Sequence, residues 1–193
     1  MENIVDDIRR ESRELQDRFF TQNREAVVAA ADLLAECLAS GHKVLLFGNG
    51  GSAADAQHLA AEFVNRFRIE RPPLAALALT TDTSVLTSIG NDYDFADIFE
   101  KQILAIGKPG DVALAISTSG GSKNVLKGVV AARNIGAHTI GFSGRGGRLA
   151  ELADRAFCVP SDATARVQEV HIALGHMLCE LVDRILFPEQ FAG

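Results

Sequence analysis

The sequence predicts an α/β protein with a doubly wound, flavodoxin-like parallel sheet of five strands, flanked by helices and preceded by an N-terminal helical extension. After residue 41, short apolar runs alternate with stretches of helical periodicity, which is typical of parallel strands covered on both faces. Two of those runs end in loops rich in glycine and serine that lead into a helix. Such sheets bind ligands in the crevice outside the carboxyl ends of their strands, so we expect both loops at one binding edge.

Five apolar runs are the predicted strands, at residues 43–47, 74–79, 112–116, 138–142 and 156–159. Helical patterns cover residues 52–67, 84–89, 95–106, 122–134, 148–152 and 164–186. In residues 4–38 apolar side chains recur at helical spacing, and we expect two helices there, separated near Asn23 and ended by Gly41. No linker or repeat is evident. Residues 1–193 are therefore interpreted as one domain, with a helical segment at 1–40 and the α/β core and C-terminal helix at 41–193.

The composition limits the classes of function that we expect. A net charge of −6 without a basic stripe argues against nucleic acid as a ligand. No apolar run has the length of a membrane span and no signal peptide is visible, so we expect a cytoplasmic protein without a membrane partner. Cys37, Cys158 and Cys179 lack CxxC spacing and are expected to be buried, reduced packing residues. The charge-rich segment 66–71 is interpreted as a surface element.

The first loop, Gly48-Asn49-Gly50-Gly51-Ser52, joins the predicted strand at 43–47 to a helix. The free backbone N–H groups and the positive dipole end at such a junction bind anions. The loop lacks the lysine of a Walker loop and the spacing of a dinucleotide-binding loop. A tight turn with Ser52 as the helix N-cap is the alternative interpretation.

The second loop, residues 117–122, combines hydroxyl groups with glycine ahead of another helix. Its hydroxyl-bearing residues are Ser117, Thr118, Ser119 and Ser122. A tetrahedral phosphate accepts hydrogen bonds from this density of donors beside free N–H groups. Two such loops in one small chain predict a phosphorylated ligand.

Two helices carry side chains suited to chemistry. His58 and Glu62 lie one turn apart on the helix after the first loop, and on their own they fit a metal pair, an acid–base pair or a solvated face. On the last helix, Gln168 and His176 are about 80° apart and roughly 12 Å apart along the axis, so one centre has to lie between them to involve both. His171 is about 140° from His176 and is interpreted as a hydrogen-bonded or exposed histidine outside the site.

In combination these residues resemble the phosphoheptose isomerases, which have the sugar isomerase (SIS) fold, over nearly the whole chain. The motifs that carry the resemblance are the first loop and its helix as far as Glu62, Asn91-Asp92, Ser117-Thr118-Ser119-Gly120-x-Ser122, and Arg166-Val167-Gln168-Glu169-Val170-His171 followed by His176. Each motif is common alone, but the combination is specific. The chain departs from the family at Gly121, where an Asn is usual, and at Ala165, where some members carry an Asp.

The resemblance implies a cytoplasmic homotetramer that converts sedoheptulose 7-phosphate into D-glycero-D-manno-heptose 7-phosphate through an enediol, a step towards lipopolysaccharide and other surface glycans. It implies that the phosphate is held by Ser52, Ser117, Thr118, Ser119 and Ser122. It implies that the sugar is bound by Asn49, Gly50, Gly51, Glu62, Asn91, Asp92 and Gln168. The family's zinc ligands match His58, Glu62, Gln168 and His176, and its acid–base residues match Glu62 and His176.

Several alternatives stay open beside this isomerase. Some relatives with this fold lack the catalytic pair and bind the bacterial replication initiator as adaptors, but Glu62 and His176 are both present here. A phosphosugar sensor would carry a DNA-binding segment, and none is seen; a different ketose phosphate is not distinguished by these residues. A carboxylate is not easily both a tight zinc ligand and a free base, so zinc, at one ion per subunit, is expected to be secondary. The separation of Gln168 and His176 predicts active sites at subunit interfaces.

Overall fold

The computed structural model describes residues 1–191 as a five-stranded sheet with helices on both faces. The strands are β1 (Val44–Gly48), β2 (Ala76–Ala78), β3 (Val112–Ser117), β4 (His138–Ser143) and β5 (Arg155–Cys158). The helices are α1 (Glu2–Ala39), α2 (Gly51–Val64), α3 (Thr83–Asp92), α4 (Ile98–Ile106), α5 (Lys123–Asn134), α6 (Arg148–Leu152) and α7 (Thr164–Leu186). Short 3-10 turns lie at Phe95–Asp97 and Pro188–Phe191.

The sheet has the predicted doubly wound order, β2-β1-β3-β4-β5, and every neighbouring pair of strands is parallel. Strands β1 and β3 lie side by side near the centre, with Val44 opposite Val112 and Gly48 opposite Ile116. The chain winds outward in opposite directions from these two strands, so the crevice of the fold opens between their carboxyl ends. Every residue of β1 and β3 is buried because helices cover both faces.

Alternate side chains of the central strands point into two hydrophobic layers, one on each face of the sheet. Val44 and Leu46 of β1 point into the layer formed with α1, α2 and α7. Leu45 and Phe47 point to the opposite layer, which is built mainly from α4 and α5. The period of two in side-chain direction along a strand produces this division. Helix α7 packs against both α1 and α2, and the α2–α7 contact matters most for the site.

The structure corrects several boundaries. The N-terminal segment is one helix, not two, because Asn23 stays helical and its side-chain Nδ2 donates to the carbonyl of Phe19, 2.8 Å away and one turn back. The predicted strand at 74–79 is reduced to Ala76–Ala78, and the predicted helix at 95–106 begins with a 3-10 turn. Cys37 and Cys179 are buried as expected, but Cys158 is exposed because it ends the edge strand β5.

Two further surface features follow from the packing. Residues 1–10 of α1 are exposed throughout, including the apolar side chains of Ile4, Val5 and Ile8. Segment 66–71 is largely a surface element as predicted, with the exception of Arg71, whose side chain is buried. Among the helices of the described residues, none is long and apolar enough to cross a membrane.

Candidate active site

The first loop, residues 48–52, packs tightly against the neighbouring strand. A Cβ atom on Gly48 would lie 2.7 Å from the carbonyl oxygen of Ile116 in β3, so only glycine allows β1 and β3 to end so close together. Gly50 has a φ of 55°, a left-handed conformation that favours glycine, and directly precedes α2. Ser52 is buried in the first turn of α2, and the N-cap of this helix is Gly50, so the alternative of Ser52 as the N-cap is wrong. The loop therefore places the amino end of α2 at the crevice.

The second loop brings three hydroxyl groups together at the amino end of α5. Ser117 Oγ lies 3.0 Å from Ser122 Oγ and 3.4 Å from Ser119 Oγ. Ser119 Oγ also accepts from the N–H of Gly121 at 3.2 Å. A Cβ atom on Gly121 would meet nothing closer than 4.0 Å, so the loss of the usual Asn leaves the serines in place. Converging hydroxyl groups at a helix amino terminus suit an anionic ligand.

The loop after β4 packs against the second loop and is bonded to its main chain. The N–H of Gly144 donates to the carbonyl of Thr118, and the N–H of Leu149 donates to the carbonyl of Gly120. A Cβ atom on Gly120, which has a φ of 64°, would lie 1.9 Å from the carbonyl oxygen of Gly146. The serine-rich turn is thus fixed by main-chain bonds and close packing before any ligand binds.

Asn49 and Asn124 join the two loops. Asn49 Nδ2 donates to Asn124 Oδ1 at 2.9 Å, and Asn124 Nδ2 donates to Asn49 Oδ1 at 2.8 Å. Asn124 is buried in the first turn of α5, and its Oδ1 also accepts from the N–H of Val125. The pair fixes the spacing between the loops. The side chain of Asn49, which is predicted to contact the sugar, makes both of these bonds to Asn124.

Helices α2 and α7 run side by side in the same direction, with matched contacts along their length. A Cβ atom on Gly51 would lie 2.3 Å from Gln168 Nε2, so Gln168 packs directly on the first loop. About two turns further on, a Cβ atom on Gly175 would lie 2.5 Å from Leu59 Cδ1. These contacts place Gln168 at one end of the helix pair and His176 further along it, as the helical spacing predicted.

His58, Glu62 and His176 meet on the seam between these helices. The Nε2 atoms of His58 and His176 are 2.8 Å apart, and Glu62 Oε1 is 3.5 Å from His58 Nε2. Phe67 stacks on the ring of His176 with 5.4 Å between ring centroids. Burial and the nearby His58 lower the pKa of His176, and Glu62 offsets part of this effect. His176 is therefore neutral near pH 7 and able to accept a proton or ligate a metal.

His171, Asn91 and Asp92 lie away from this cluster. Burial lowers the pKa of His171 to about 4, and its Nε2 is 3.0 Å from the carbonyl oxygen of Ser143. The neutral ring therefore donates to the end of β4 and faces away from His176, which confirms the interpretation of a hydrogen-bonded histidine outside the site. Asn91 and Asp92 lie exposed at the end of α3 and bond to each other. Within residues 1–191 no hydrogen bond links them to either loop.

Known proteins resemble this chain in sequence over most of its length. A family model of the SIS domain matches residues 9–144. A phosphoheptose isomerase of Solidesulfovibrio magneticus is 61% identical over 170 residues, which are 88% of this chain and 83% of that protein. The chain belongs to the phosphoheptose isomerase family.

Solved structures of this family have the same fold as the chain. Phosphoheptose isomerase GmhA from Neisseria gonorrhoeae is 45% identical and superposes with a TM-score of 0.88, covering 94% of this chain and 98% of that one. A phosphoheptose isomerase from Francisella tularensis is 37% identical with a TM-score of 0.90, covering 94% and 97%. The long first helix and the parallel sheet are thus features of the family.

Membership of the phosphoheptose isomerase family implies a zinc ion, and the side chains on the seam are of the kinds that bind zinc. His176 Nε2 and Glu62 Oε1 lie 2.8 Å and 3.5 Å from His58 Nε2, and imidazole nitrogens and carboxylate oxygens are donors that suit zinc. Gln168 lies at Gly51 and makes no hydrogen bond to the other three within the described chain. The described residues hold no ready-made set of three or more His, Cys, Asp or Glu ligands. The donors therefore fit zinc in their chemistry, but within the described residues they are not arranged as a complete set of ligands.

Sequence reasoning missed three residues of this isomerase-family site. Asn124 lies just past the serine motif, and only its contact with Asn49 reveals its place. Phe67 lies beyond the end of α2 and covers His176. Asp55, three residues before His58, has a buried Oδ2 without a partner in the described structure, and burial raises its pKa while His58 lowers it. The helical spacing of Asp55 and His58 was the one available signal.

Proposed function

We propose that this protein is an aldose–ketose isomerase that converts sedoheptulose 7-phosphate into D-glycero-D-manno-heptose 7-phosphate. The observation that carries the proposal is the cluster of Glu62, His58 and His176 beside two anion-binding loops at one edge of the sheet. A phosphate loop alone would serve any sugar phosphate, whereas a carboxylate next to paired imidazoles also supplies proton transfer. With Glu62 and His176 both present, and relatives that are isomerases, the adaptor hypothesis has no observation in its favour.

The second loop binds the phosphate ester in this mechanism. Ser117, Ser119 and Ser122 donate from their hydroxyl groups, and the amino end of α5 adds a favourable dipole. Ser52 and Thr118 complete the set of donors. Because the ester is fixed at carbon 7, the opposite end of the open-chain sugar extends towards the seam between α2 and α7. Gln168 packs on Gly51 of the first loop and, in this mechanism, orients the sugar hydroxyl groups.

Glu62 moves the carbon-bound proton. Its carboxylate takes a proton from carbon 1 of the ketose, the electron pair forms the double bond of the enediol, and the carbonyl oxygen at carbon 2 takes up a proton. Glu62 then returns a proton to carbon 2 as the new carbonyl forms at carbon 1. The side chain of Glu62 is 20% exposed, so the proton that it holds exchanges in part with solvent before it is returned.

His176 handles the oxygen-bound protons. Its ring is held between His58 and Phe67, and its lowered pKa keeps it neutral and able to pass a proton between the two oxygens. His58, Glu62, Gln168 and His176 would hold zinc, which when bound supplies Lewis-acid polarisation of the substrate carbonyl. Glu62 has to be free of tight ligation at the moment it accepts the proton.

The functional form is proposed to be a cytoplasmic homotetramer with active sites at subunit interfaces. In support, the first ten residues of α1 are exposed and include Ile4, Val5 and Ile8, an apolar surface that a second copy of this chain would cover. Polar replacement of these three residues is expected to dissociate the assembly in sedimentation velocity and to remove turnover while helix content stays unchanged. A monomer with full activity would contradict the interface.

The test of the activity is direct. The purified protein is incubated with sedoheptulose 7-phosphate, and the products are separated by anion-exchange chromatography and identified by NMR. We expect an aldoheptose 7-phosphate at equilibrium with the ketose. Fructose 6-phosphate serves as the comparison substrate, since it has the same ketose head and one carbon less. A higher kcat/KM for the six-carbon sugar would assign the protein to a different ketose phosphate.

A further inference from the structure

The side chain of Arg71 is buried although segment 66–71 is otherwise largely exposed. Its side chain is 1% exposed, and it approaches the carboxyl end of α2 from the loop that leads to β2. Its NH2 group donates to the carbonyl of Glu62 at 2.8 Å, and its NH1 group donates to the carbonyl of Phe63 at 2.7 Å. The same NH1 group lies 3.3 Å from the carbonyl oxygen of Asn65. One guanidinium therefore holds the main chain of Glu62 itself.

These carbonyl groups need a partner because they belong to the last turn of a helix. The final four carbonyls of a helix have no acceptor role within it, and a cation there also interacts favourably with the helix dipole. No basic residue lies in the last turn of α2, so Arg71 supplies this charge from outside the helix. The planar fork of arginine can reach two carbonyls and a carboxylate at once, which a lysine cannot.

The opposite edge of the guanidinium joins α2 to α7. Arg71 Nε donates to Asp183 Oδ1 at 2.8 Å, and the side chain of Asp183 is also 1% exposed. Asp183 lies two turns after His176 on α7, and its second oxygen, Oδ2, has no partner within the described residues. Removal of one member of a buried pair leaves the other charge uncompensated, so the two act together.

We propose that Arg71 and Asp183 are a positioning pair that sets the position of the Glu62 carboxylate along the axis of α2, relative to His176. Asp183 lies two turns beyond His176 on α7, and Arg71 reaches from the loop after α2 to bind the backbone of the proton-transferring residue directly. Proton transfer at carbon depends on placement to a fraction of an ångström, whereas binding of the phosphate ester in the second loop does not involve this region. The inference depends on the assignment of Glu62 as the base.

The primary variant is Arg71→Lys, which keeps the charge and loses the fork. We expect kcat to fall by about 100-fold, as a displaced catalytic group predicts, while KM for the heptulose phosphate stays within about twofold. Asp183→Asn keeps the size of the side chain and is expected to lower kcat in the same way. The matched control is Arg68→Met: Arg68 joins the same loop to Glu180 of the same helix through bonds of 2.9 and 3.0 Å, but on the exposed surface. Its kcat should stay within about twofold of the wild type.

Three readouts separate positioning from general stability. Circular dichroism reports whether each variant is folded. Steady-state kinetics report whether the loss falls on kcat or on KM, and the pH profile of kcat reports the environment of the base. A folded Arg71→Lys or Asp183→Asn protein with wild-type kcat overturns the inference, as does a loss confined to KM. If Arg71→Lys does not fold, Asp183→Asn decides alone. An active Glu62→Gln protein would instead remove the base assignment, so the two failures are distinguishable.

Discussion

At the scale of single residues, the site depends on side chains that hold other side chains in place. Asn124 shows this most clearly, because its buried side-chain amide donates to Asn49 through Nδ2 and accepts from Asn49 through Oδ1. His58 has the same relation to His176, at 2.8 Å between ring nitrogens. The first loop therefore takes its position from α5 as well as from β1, and the spacing of the two loops is a property of one pair of amides.

Replacement of Asn124 by Ala tests this spacing. The change leaves the amide of Asn49 without its partner, and an unmade hydrogen bond at a partly buried group costs about 1–3 kcal/mol. We expect KM for the phosphorylated substrate to rise about tenfold, which corresponds to about 1.4 kcal/mol. Asn134→Ala is the control, since Asn134 is exposed at the other end of the same helix. Equal steady-state constants for the two variants would show that the amide pair does not set the site.

At the scale of elements, the decisive feature is the close parallel contact of α2 with α7. Gly175 permits it, because a side chain there would run into Leu59. The contact brings His58 beside His176 although they are far apart in the chain, and it is extended by Arg71 and Asp183 at the carboxyl end. Each helix on its own presents only an ordinary amphipathic pattern, and the pair creates the cluster of His58, Glu62 and His176.

Gly175→Ala is expected to force the two helices apart. Overpacking of a well-filled contact costs about 1–3 kcal/mol, and here the displacement also separates Glu62 and His58 from His176. We expect a lower midpoint in urea and a fall in kcat that exceeds any change in KM. Gly90→Ala is the matched control, because Gly90 is a helical glycine of α3 with nothing within 4 Å of an added Cβ. A Gly175→Ala enzyme with unchanged kcat would show that the chemistry tolerates a wider seam.

Most features of these elements that are fixed within one strand or helix were predicted from the sequence, whereas features that depend on contacts between distant residues were not. Periodicity gave the five strands and their parallel class, since that pattern reflects burial of each strand's own side chains. The helical wheel correctly separated His171 from His176, because their angle is fixed within one helix. The burial of Arg71, the continuity of α1 through Asn23 and the role of Asn124 were not predicted. The burial of Arg71 and the role of Asn124 arise from bonds to residues far away in the sequence, whose positions spacing does not reveal. The continuity of α1 instead reflects a local bond from Asn23 to Phe19, which the choice of Asn23 as a helix breaker overlooked.

At the scale of the whole molecule, the sheet order makes one site from separate parts of the chain. The two loops follow β1 and β3, which are neighbours at the point where the winding reverses, so both helix amino termini open on the same crevice. Helix α7 contacts the end of β4 through His171, beside the loop that packs on the second loop, and also packs against α2. The described part of the chain is thus one structural unit in which the phosphate end and the chemical end of the site share the same core.

The buried His171 makes the stability of this unit depend on pH. Its pKa is about 4 in the folded protein, and an unfolded histidine titrates near 6.5. Between these values the unfolded state binds a proton that the folded state excludes. The contribution of neutral His171 to the free energy of unfolding is therefore complete above pH 6.5 and declines as the pH falls towards 4, by up to about 3 kcal/mol.

The measurement is urea unfolding at pH 7 and pH 4.5 for the wild type and for His171→Gln. A glutamine is expected to donate to the carbonyl of Ser143 without titrating, so the variant should lose less stability between the two values. His138→Gln is the control, because His138 is exposed at the start of β4. The same loss on acidification in all three proteins would exclude His171 as the cause.

The most direct test of the central claim is the transfer of the carbon-bound proton by Glu62 on a substrate that stays bound. Wild-type protein and Glu62→Gln are each incubated with sedoheptulose 7-phosphate in D₂O, and deuterium at carbons 1 and 2 is followed by NMR while substrate binding is measured by calorimetry. We predict exchange and aldoheptose formation with the wild type. With the variant we predict a loss of exchange of about 10³-fold, in line with the removal of a general base, at nearly unchanged affinity. Exchange at the wild-type rate in Glu62→Gln would contradict the account.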